Sequence, residues 1–315
     1  MKIAVSACLL GEKVRFDKGH KRDEFVMDEL SRYANFVSFC PEHFAFGSPR
    51  PSLRVVKTKN DEITIISNKT GENLTNALEK TAQEDLIKIR NSDVTAIIFK
   101  SRSPSCGMMS AKVYLENGFN DGKSDGLFAA MCKKEFPLLP MEEEGRLLDA
   151  WLRENFVMQI FAYDRFEKFK INAQMKDLVL FHQQHKFLLQ SKDEILYRNL
   201  GNIVANHEKK PFEEILSEYE FGFKSAIAIK SSTGKTRNVL QHMAGFVKNF
   251  LDSDEKKMLH EQIDDYAAKI IPVIVPLSTL KLYTKKYNIK YLQNQIFLEP
   301  YPKELALRSD IKSVK

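Results

Sequence analysis

The 315 residues, 43% of them hydrophobic and 29% charged, suit a globular chain with a sizeable core and room for two domains. No apolar stretch reaches the roughly 18 residues of a membrane span, and the apolar start is too short for a signal peptide, so we expect a cytoplasmic protein. The formal net charge of +6 is compatible with an anionic substrate or nucleic acid, although a solvated surface is the commoner reason for mild basicity.

The first half of the chain alternates strand and helix patterns. Strands are predicted at Lys2–Ser6, Phe36–Phe39 and Val94–Phe99, where apolar residues run together. Helical spacing is found over Asp23–Tyr33 and Thr75–Asn91. Strands that alternate with helices favour a mostly parallel sheet covered on both faces. We therefore predict a three-layer, Rossmann-like α/β domain.

From about Trp151 onward the pattern changes to long helices. They are predicted at Trp151–Phe169, Lys176–Gln190, Lys192–Asn206, Pro211–Ile229, Thr236–Phe250 and Asp254–Ala268. Pro272 and Pro276 are expected to break the helical pattern near the end. The sequence thus predicts an α/β domain over residues 1–150 and an all-α domain over residues 151–315, with a linking helix at about 151–175.

Three of the four cysteines lie a few residues beyond the carboxyl end of a predicted strand. They are Cys8, Cys40 and Cys106. Because ligand crevices of open α/β sheets form at this edge, the three thiols can converge on one point. A reducing cytosol argues against disulfides, which leaves inert buried thiols, metal ligands or nucleophiles.

The spacing of these cysteines bears on which metal they could bind. Thiolates suit zinc, copper(I) or iron–sulfur clusters, but the chain has no Cys-x-x-Cys pair of the kind common in structural zinc sites. Three separated cysteines suit a cubane cluster whose fourth iron is left open for a substrate. Spacing alone leaves three inert core thiols at least as plausible.

The neighbours of the cysteines favour a metal site. Small or turn-forming residues surround each thiol, in Ser6–Gly11, Phe39–Glu42 and Ser103–Gly107. Such turns present backbone N–H groups that can hydrogen-bond cluster sulfides. Inert core cysteines are more often found inside strands or helices.

These three segments resemble the thiouracil desulfurase family. The resemblance extends to Val14–Asp17, Asn73–Thr75, Lys123–Ala129 and Glu142–Leu147, and so covers nearly all of residues 1–150. It implies a [4Fe-4S] cluster on Cys8, Cys40 and Cys106. It also implies a non-redox desulfuration, in which the thiocarbonyl sulfur of a nucleobase such as thiouracil binds the open iron and water replaces it at the ring carbon.

The same resemblance points to two catalytic residues. Glu42 would carry the proton, and Ser103 would orient the substrate or the sulfide. The plainer alternatives are a solvated turn carboxylate and a turn-stabilising hydroxyl. Cys132 matches no cysteine of the family and is expected to pack in the core; as a fourth ligand it would close the site. A cluster-free mechanism, with a persulfide on Cys8, is a further alternative.

Four cations lie beside the motif turns. Arg15, Arg50, Lys100 and Arg102 could together hold a phosphate or carboxylate of the substrate, although each taken alone is more often a surface charge.

The helical half resembles, over about Lys176–Leu307, a second bacterial domain of unknown function that commonly follows the desulfurase domain. His182 and His185, with His242 on another helix, could ligate a metal, although hydrogen-bonded core histidines are the commoner arrangement. This domain could also grip RNA or cap the cluster pocket. Three functions therefore stay open: desulfuration of a small thiolated base, desulfuration or binding of thiolated RNA, and a non-catalytic iron–sulfur sensor.

Overall fold

A computed structural model describes residues 1–309. The chain divides into two compact units, and the first ends at Leu148 while the second begins at Asp149. The first unit is built of strands and helices, and the second is helical. This confirms the predicted fold class, α/β followed by all-α. Within the described residues, no helix is long and apolar enough to span a membrane.

Two four-stranded sheets form the frame of the first unit. Its strands are β1 (Lys2–Ser6), β2 (Asn35–Phe39), β3 (Leu53–Lys57), β4 (Ile63–Ser67), β5 (Ala96–Phe99), β6 (Ala111–Leu115), β7 (Asn120–Ser124) and β8 (Met141–Glu143). The order β2-β1-β5-β8 gives an all-parallel sheet, which contains the three strands predicted from the sequence. The order β4-β3-β6-β7 gives a mixed sheet that the sequence analysis did not foresee.

The helices of the first unit are α1 (Pro41–Phe46), α2 (Thr75–Arg90) and α3 (Leu127–Glu135). Helices α2 and α3 pack on the parallel sheet, where Phe39, Phe99 and Phe128 form a buried aromatic cluster with ring centroids 5.1–6.2 Å apart. Such contacts add to the free energy gained by burying the rings. The segment predicted as a helix over Asp23–Tyr33 is irregular, with a π-type turn followed by a 3-10 turn.

The second unit consists of helices α4 (Ala150–Phe169), α5 (Met175–Lys192), α6 (Glu194–Ala205), α7 (Phe212–Ala228), α8 (Thr233–Val247), α9 (Ser253–Ala267), α10 (Ile274–Lys286) and α11 (Lys290–Gln293). The first six correspond to predicted helices. The expectation that Pro276 breaks the pattern was wrong, because this proline is the third residue of α10. An amide in the first turn has no acceptor within its helix, so proline costs little there.

Candidate functional site

The fold brings the three predicted cysteines to one edge of the parallel sheet. Cys8 lies in a short 3-10 helix directly after β1, Cys40 lies between β2 and α1, and Cys106 lies in the turn region after β5. Strands β2, β1 and β5 are parallel neighbours, so their carboxyl ends share this edge. All three cysteines line a single cavity of about 350 Å³.

Burial keeps these thiols protonated at neutral pH. Desolvation raises the pKa of Cys8 to about 11 and that of Cys40 to about 12, and it raises the pKa of Cys106 well above its ordinary value. For Cys40, the nearby Glu42 carboxylate adds to the rise. A soft metal that displaces the protons would therefore be needed to hold the three as thiolates.

The arrangement of the donors bears on the kind of metal group that they could hold. Across residues 1–309, no three His, Cys, Asp or Glu side chains lie close enough to bind one metal ion. The thiolates of a cubane bind different iron atoms and need not lie that close. Three soft donors around one cavity fit a soft metal group such as an iron–sulfur cluster.

Glu42 lies in the first turn of α1 and lines the same cavity. Its Oε1 accepts hydrogen bonds from Ser103 Oγ at 2.9 Å and Ser105 Oγ at 2.6 Å, and its Oε2 accepts one from Arg50 Nη2 at 2.9 Å. Its side chain is only 13% exposed. The carboxylate is thus fixed by three donors inside the cavity and is not a solvated turn residue.

The two serines next to Glu42 have different surroundings. Ser103 Oγ also accepts the N–H groups of Ser105 and Cys106, at 3.2 and 3.1 Å, so it stabilises the turn as well as contacting the carboxylate. Ser105 is buried, and its Oγ lies 3.5 Å from Cys106 Sγ. The sequence analysis did not single out Ser105, although its position directly before Cys106 was the available signal.

Two of the four predicted cations do not offer a free charge to a ligand. Arg50 pairs with Glu42, and Lys100 pairs with Glu144 in a partly buried contact. All four line the cavity, and of these Arg15 and Arg102 have no buried carboxylate partner among the ion pairs of the described residues.

The exposed rim of the cavity is basic. Arg102 and Lys21 are exposed lining residues, and Lys21 was not foreseen. Arg15 Nε lies 3.5 Å from the half-exposed carboxylate of Asp17, a contact that water screens. The mouth of the cavity therefore presents positive charge.

Acidic residues at the end of β8 hold the loop that carries Cys106. Glu143 Oε1 accepts the Met108 N–H at 2.6 Å and also the Ser110 hydroxyl. Burial raises the pKa of Glu143. Glu144 Oε2 accepts the Ser101 N–H at 2.6 Å. These bonds fix the backbone on both sides of the Ser103–Gly107 turn, which explains the acidic motif noted in the sequence.

Cys132 occupies the core and not the cavity. It is fully buried on α3, in the cluster that contains Phe99 and Phe128, and it is not among the cavity-lining residues. This placement agrees with the expectation of core packing.

Two of the three candidate histidines of the helical unit, His182 and His185, make core contacts. His182 Nδ1 lies 3.1 Å from the Tyr219 hydroxyl, and His185 Nδ1 lies 2.8 Å from the Phe181 carbonyl. Burial lowers the pKa of His182 to about 4 and that of His185 to about 3. His242 is exposed. The described part of the chain does not bring the three together as metal ligands.

The first unit is thus an α/β domain with two buried thiols, a third that is partly buried, a fixed carboxylate and two hydroxyls around one cavity. This set defines a candidate soft-metal enzyme site. Comparison with known proteins finds a matching family for part of each unit. Residues 3–144 match the family model of 2-thiouracil desulfurase, and residues 186–302 match that of a protein of unknown function (DUF1722). The first unit therefore matches the 2-thiouracil desulfurase family and the helical unit matches a domain of unknown function, the two families that the sequence resemblance predicted.

Individual relatives include two uncharacterized proteins. YbgA of Escherichia coli is 25% identical over 157 residues, which span 49% of this chain and 93% of YbgA. YbbK of Bacillus subtilis is 29% identical over 140 residues, which span 42% of this chain and 89% of YbbK. A solved structure of a [4Fe-4S]-dependent thiouracil desulfidase is 26% identical, covers 50% of this chain and 99% of its own, and has a TM-score of 0.39.

Proposed function

We propose that the protein removes sulfur from a thiolated nucleobase such as thiouracil, giving the oxo base and sulfide, with a [4Fe-4S] cluster bound by Cys8, Cys40 and Cys106. The observation that carries this proposal is that the three thiols share one cavity with Glu42 in a domain of the 2-thiouracil desulfurase family. When bound, such a cluster supplies a soft Lewis acid that can polarise a carbon–sulfur bond. Water exchanges its oxygen for the substrate sulfur, so no oxidant or reductant is needed.

The residues of the chain supply binding and proton transfer. The cavity volume of about 350 Å³ is in the range of small-molecule sites and can hold a single pyrimidine ring. Glu42 is held as a hydrogen-bond acceptor by three donors, which suits a base that takes a proton from the attacking water. Ser103 and Ser105 fix the position of its Oε1 and so orient the base toward the ring.

A pair of matched cysteine variants tests this proposal. The chain is reconstituted anaerobically with iron and sulfide, and cluster absorbance and sulfide release from thiouracil are measured for wild type, Cys106→Ala and Cys132→Ala. Cys106→Ala removes a thiol from the cavity and should lose both signals. Cys132→Ala removes a thiol from the core and should keep both in the protein that folds.

Each other outcome selects a different function. Loss of cluster in Cys132→Ala would favour a four-cysteine sensor. A stable cluster without turnover on any thiolated base would also favour the sensor, and activity in iron-free protein would favour a persulfide on Cys8. Absence of any cluster would return the cysteines to inert core thiols.

Thiolated RNA is the second candidate substrate. The basic rim formed by Arg15, Lys21 and Arg102 suits a phosphate beside the base. The helical unit carries half-exposed Phe250 stacked on Tyr287, with ring centroids 5.2 Å apart, the kind of aromatic pair on which bases stack. Sulfide release from thiouracil and from thiouridine-containing RNA, compared at low and high salt, separates the two. Only RNA turnover should fall steeply as salt rises.

A further inference from the structure

One loop that contains no helix or strand forms part of the cavity wall. Residues 12–22, here called the mouth loop, follow the 3-10 helix of Cys8, and Arg15, Phe16 and Lys21 from this loop line the cavity. Its second end is fixed by the Lys21 N–H, which donates to the Cys8 carbonyl at 2.8 Å. Its tip, residues 14–19, is largely exposed apart from Val14.

The internal bonds of this tip are few. Arg15 N–H donates to Gly19 O at 3.3 Å, Lys18 N–H donates to Arg15 O at 3.0 Å, and Gly19 N–H donates to Asp17 Oδ1 at 3.0 Å. Three such bonds and the screened Arg15–Asp17 pair contribute little free energy on an exposed loop, so contacts from outside the loop help to determine where the tip lies.

Arg50 provides those contacts. Its Nη1 donates to the Val14 carbonyl at 2.7 Å, and its backbone N–H donates to the Phe16 carbonyl at 3.2 Å. The same Nη1 contacts the Gly47 carbonyl at 3.1 Å, while Nη2 donates to Glu42 Oε2 at 2.9 Å. The side chain is only 4% exposed. One planar guanidinium therefore joins the mouth loop to the carboxylate of the site.

We propose that Arg50 is a positioning residue that holds the mouth loop and Glu42 in one arrangement, so that substrate access and the placement of the base depend on the same side chain. This inference rests on the proposed function for the role of Glu42. A lysine at this position could still pair with Glu42, but it lacks the rigid fork that reaches the Val14 carbonyl at the same time.

The test compares Arg50→Lys with Arg90→Lys in the full chain. Arg90 makes an exposed pair with Glu135 and does not line the cavity, so it is the matched control. Hydrogen exchange of the cluster-free protein should show the amides of Arg15 and Lys18 exchanging about ten-fold faster in Arg50→Lys, because one bond that holds the tip is lost. Arg90→Lys should leave these amides as in wild type.

Steady-state kinetics of the reconstituted enzyme provide the second measurement. Arg50→Lys should raise KM about five-fold while kcat stays within a factor of about two, since the ion pair with Glu42 is kept. Glu42→Gln should do the reverse: it should lower kcat at least about a hundred-fold and leave exchange in the mouth loop unchanged. This split distinguishes positioning of the loop from general loss of structure.

The two measurements fail in different ways. Equal exchange of the Arg15 and Lys18 amides in Arg50→Lys and wild type would overturn the inference whatever the activity. An inactive wild type would refute the proposed function but would leave the exchange result to decide the role of Arg50. If Arg50→Lys folds poorly, Ser48→Ala is the second variant, because it removes a hydroxyl that accepts from Arg50 Nη1 at 3.2 Å. Hydrogen exchange of the Arg15 and Lys18 amides should then become faster, but by less than in Arg50→Lys. An unchanged exchange rate in Ser48→Ala also counts against the inference.

Discussion

Replacing Gly126 with alanine should disturb the Cys106 loop through sterics alone. A Cβ on Gly126 would lie 2.6 Å from the carbonyl carbon and oxygen of Ser105 and 2.8 Å from the Pro104 oxygen. These are backbone atoms and cannot rotate away. The glycine has φ −70°, which alanine adopts freely, so no conformational strain is mixed into the effect.

The size of the effect follows from the contacts that must give way. Forcing an extra methyl into a packed site costs about 1–3 kcal/mol, and rigid backbone on the other side favours the upper end. The Gly126 N–H also donates to the Gly107 carbonyl at 2.7 Å, and weakening this bond adds about 1 kcal/mol. We therefore expect Gly126→Ala to lower the free energy of unfolding of the first unit by about 3 kcal/mol.

Urea unfolding followed by circular dichroism measures this change, with Gly245→Ala as the control. Gly245 is exposed within α8, and a Cβ there would meet nothing within 4 Å. Alanine is the better helix former, so this variant should stabilise the helical unit by up to about 1 kcal/mol, as reported by the fluorescence of the sole tryptophan, Trp151, in α4. A Gly126→Ala protein within about 0.5 kcal/mol of wild type would refute the steric argument.

Three further predictions concern other buried groups. Glu143→Ala leaves the Met108 N–H without its acceptor and should cost about 2–3 kcal/mol in urea unfolding, whereas Glu143→Gln keeps an acceptor and should cost less than half as much. With a pKa of about 11, Cys8 is ionised in about one molecule per thousand at pH 8, so alkylation of the cluster-free protein should be slow and rise about ten-fold per pH unit; labelling at the rate of a free thiol would contradict this. Burial lowers the pKa of Lys192 to about 7, so the folded chain binds this proton less readily than the unfolded chain does. The free energy of unfolding should therefore fall by about 4 kcal/mol as the pH decreases from 10.5 to 7, as measured by Trp151 fluorescence in urea. Lys192→Met should abolish most of this slope.

The convergence of the cysteines could be predicted because it depends on strand order alone. Hydrophobic runs end just before Cys8 and Cys40, and parallel strands place their carboxyl ends at one edge. No contact between distant side chains is needed for that argument. The long helices of the second unit could be predicted equally well, because their apolar residues recur with helical period.

The mixed sheet could not be predicted from the same kind of pattern. Strand β7 reads Asn-Asp-Gly-Lys-Ser and is almost wholly exposed, so it shows no alternation of apolar and polar residues. It exists because β6 beside it offers unpaired backbone groups along Ala111–Leu115. The pairing partner decides such a strand, and a single sequence does not reveal it.

The roles of Arg50 and Lys100 also depended on the fold. From the sequence, both are candidates for binding an anion. In the structure, Glu42 pairs with Arg50 and Glu144 pairs with Lys100, and these carboxylates neutralise the two positive charges. Sequence separations of 8 and 44 residues are bridged only once α1 and β8 are in place. Charge in a motif therefore shows that a cation is present but not whether it is free.

This internal pairing has a consequence for the site. The carboxylates of Glu42 and Glu144 largely neutralise the charges of Arg50 and Lys100. A new negative charge in the cavity would therefore be balanced mainly by the less strongly paired cations of the rim. Burial raises the pKa of Cys8, and the positive charges of Lys100 and, to a smaller extent, Arg15 oppose that rise. Arg15, which is less strongly paired than Lys100, would thus serve both the thiolate of Cys8, together with Lys100, and a phosphate on a substrate. Arg15→Gln should therefore weaken a phosphate-bearing substrate more than a free base, and it should also slow reconstitution of the cluster; equal loss for both substrates would show that Arg15 acts only through the thiolate.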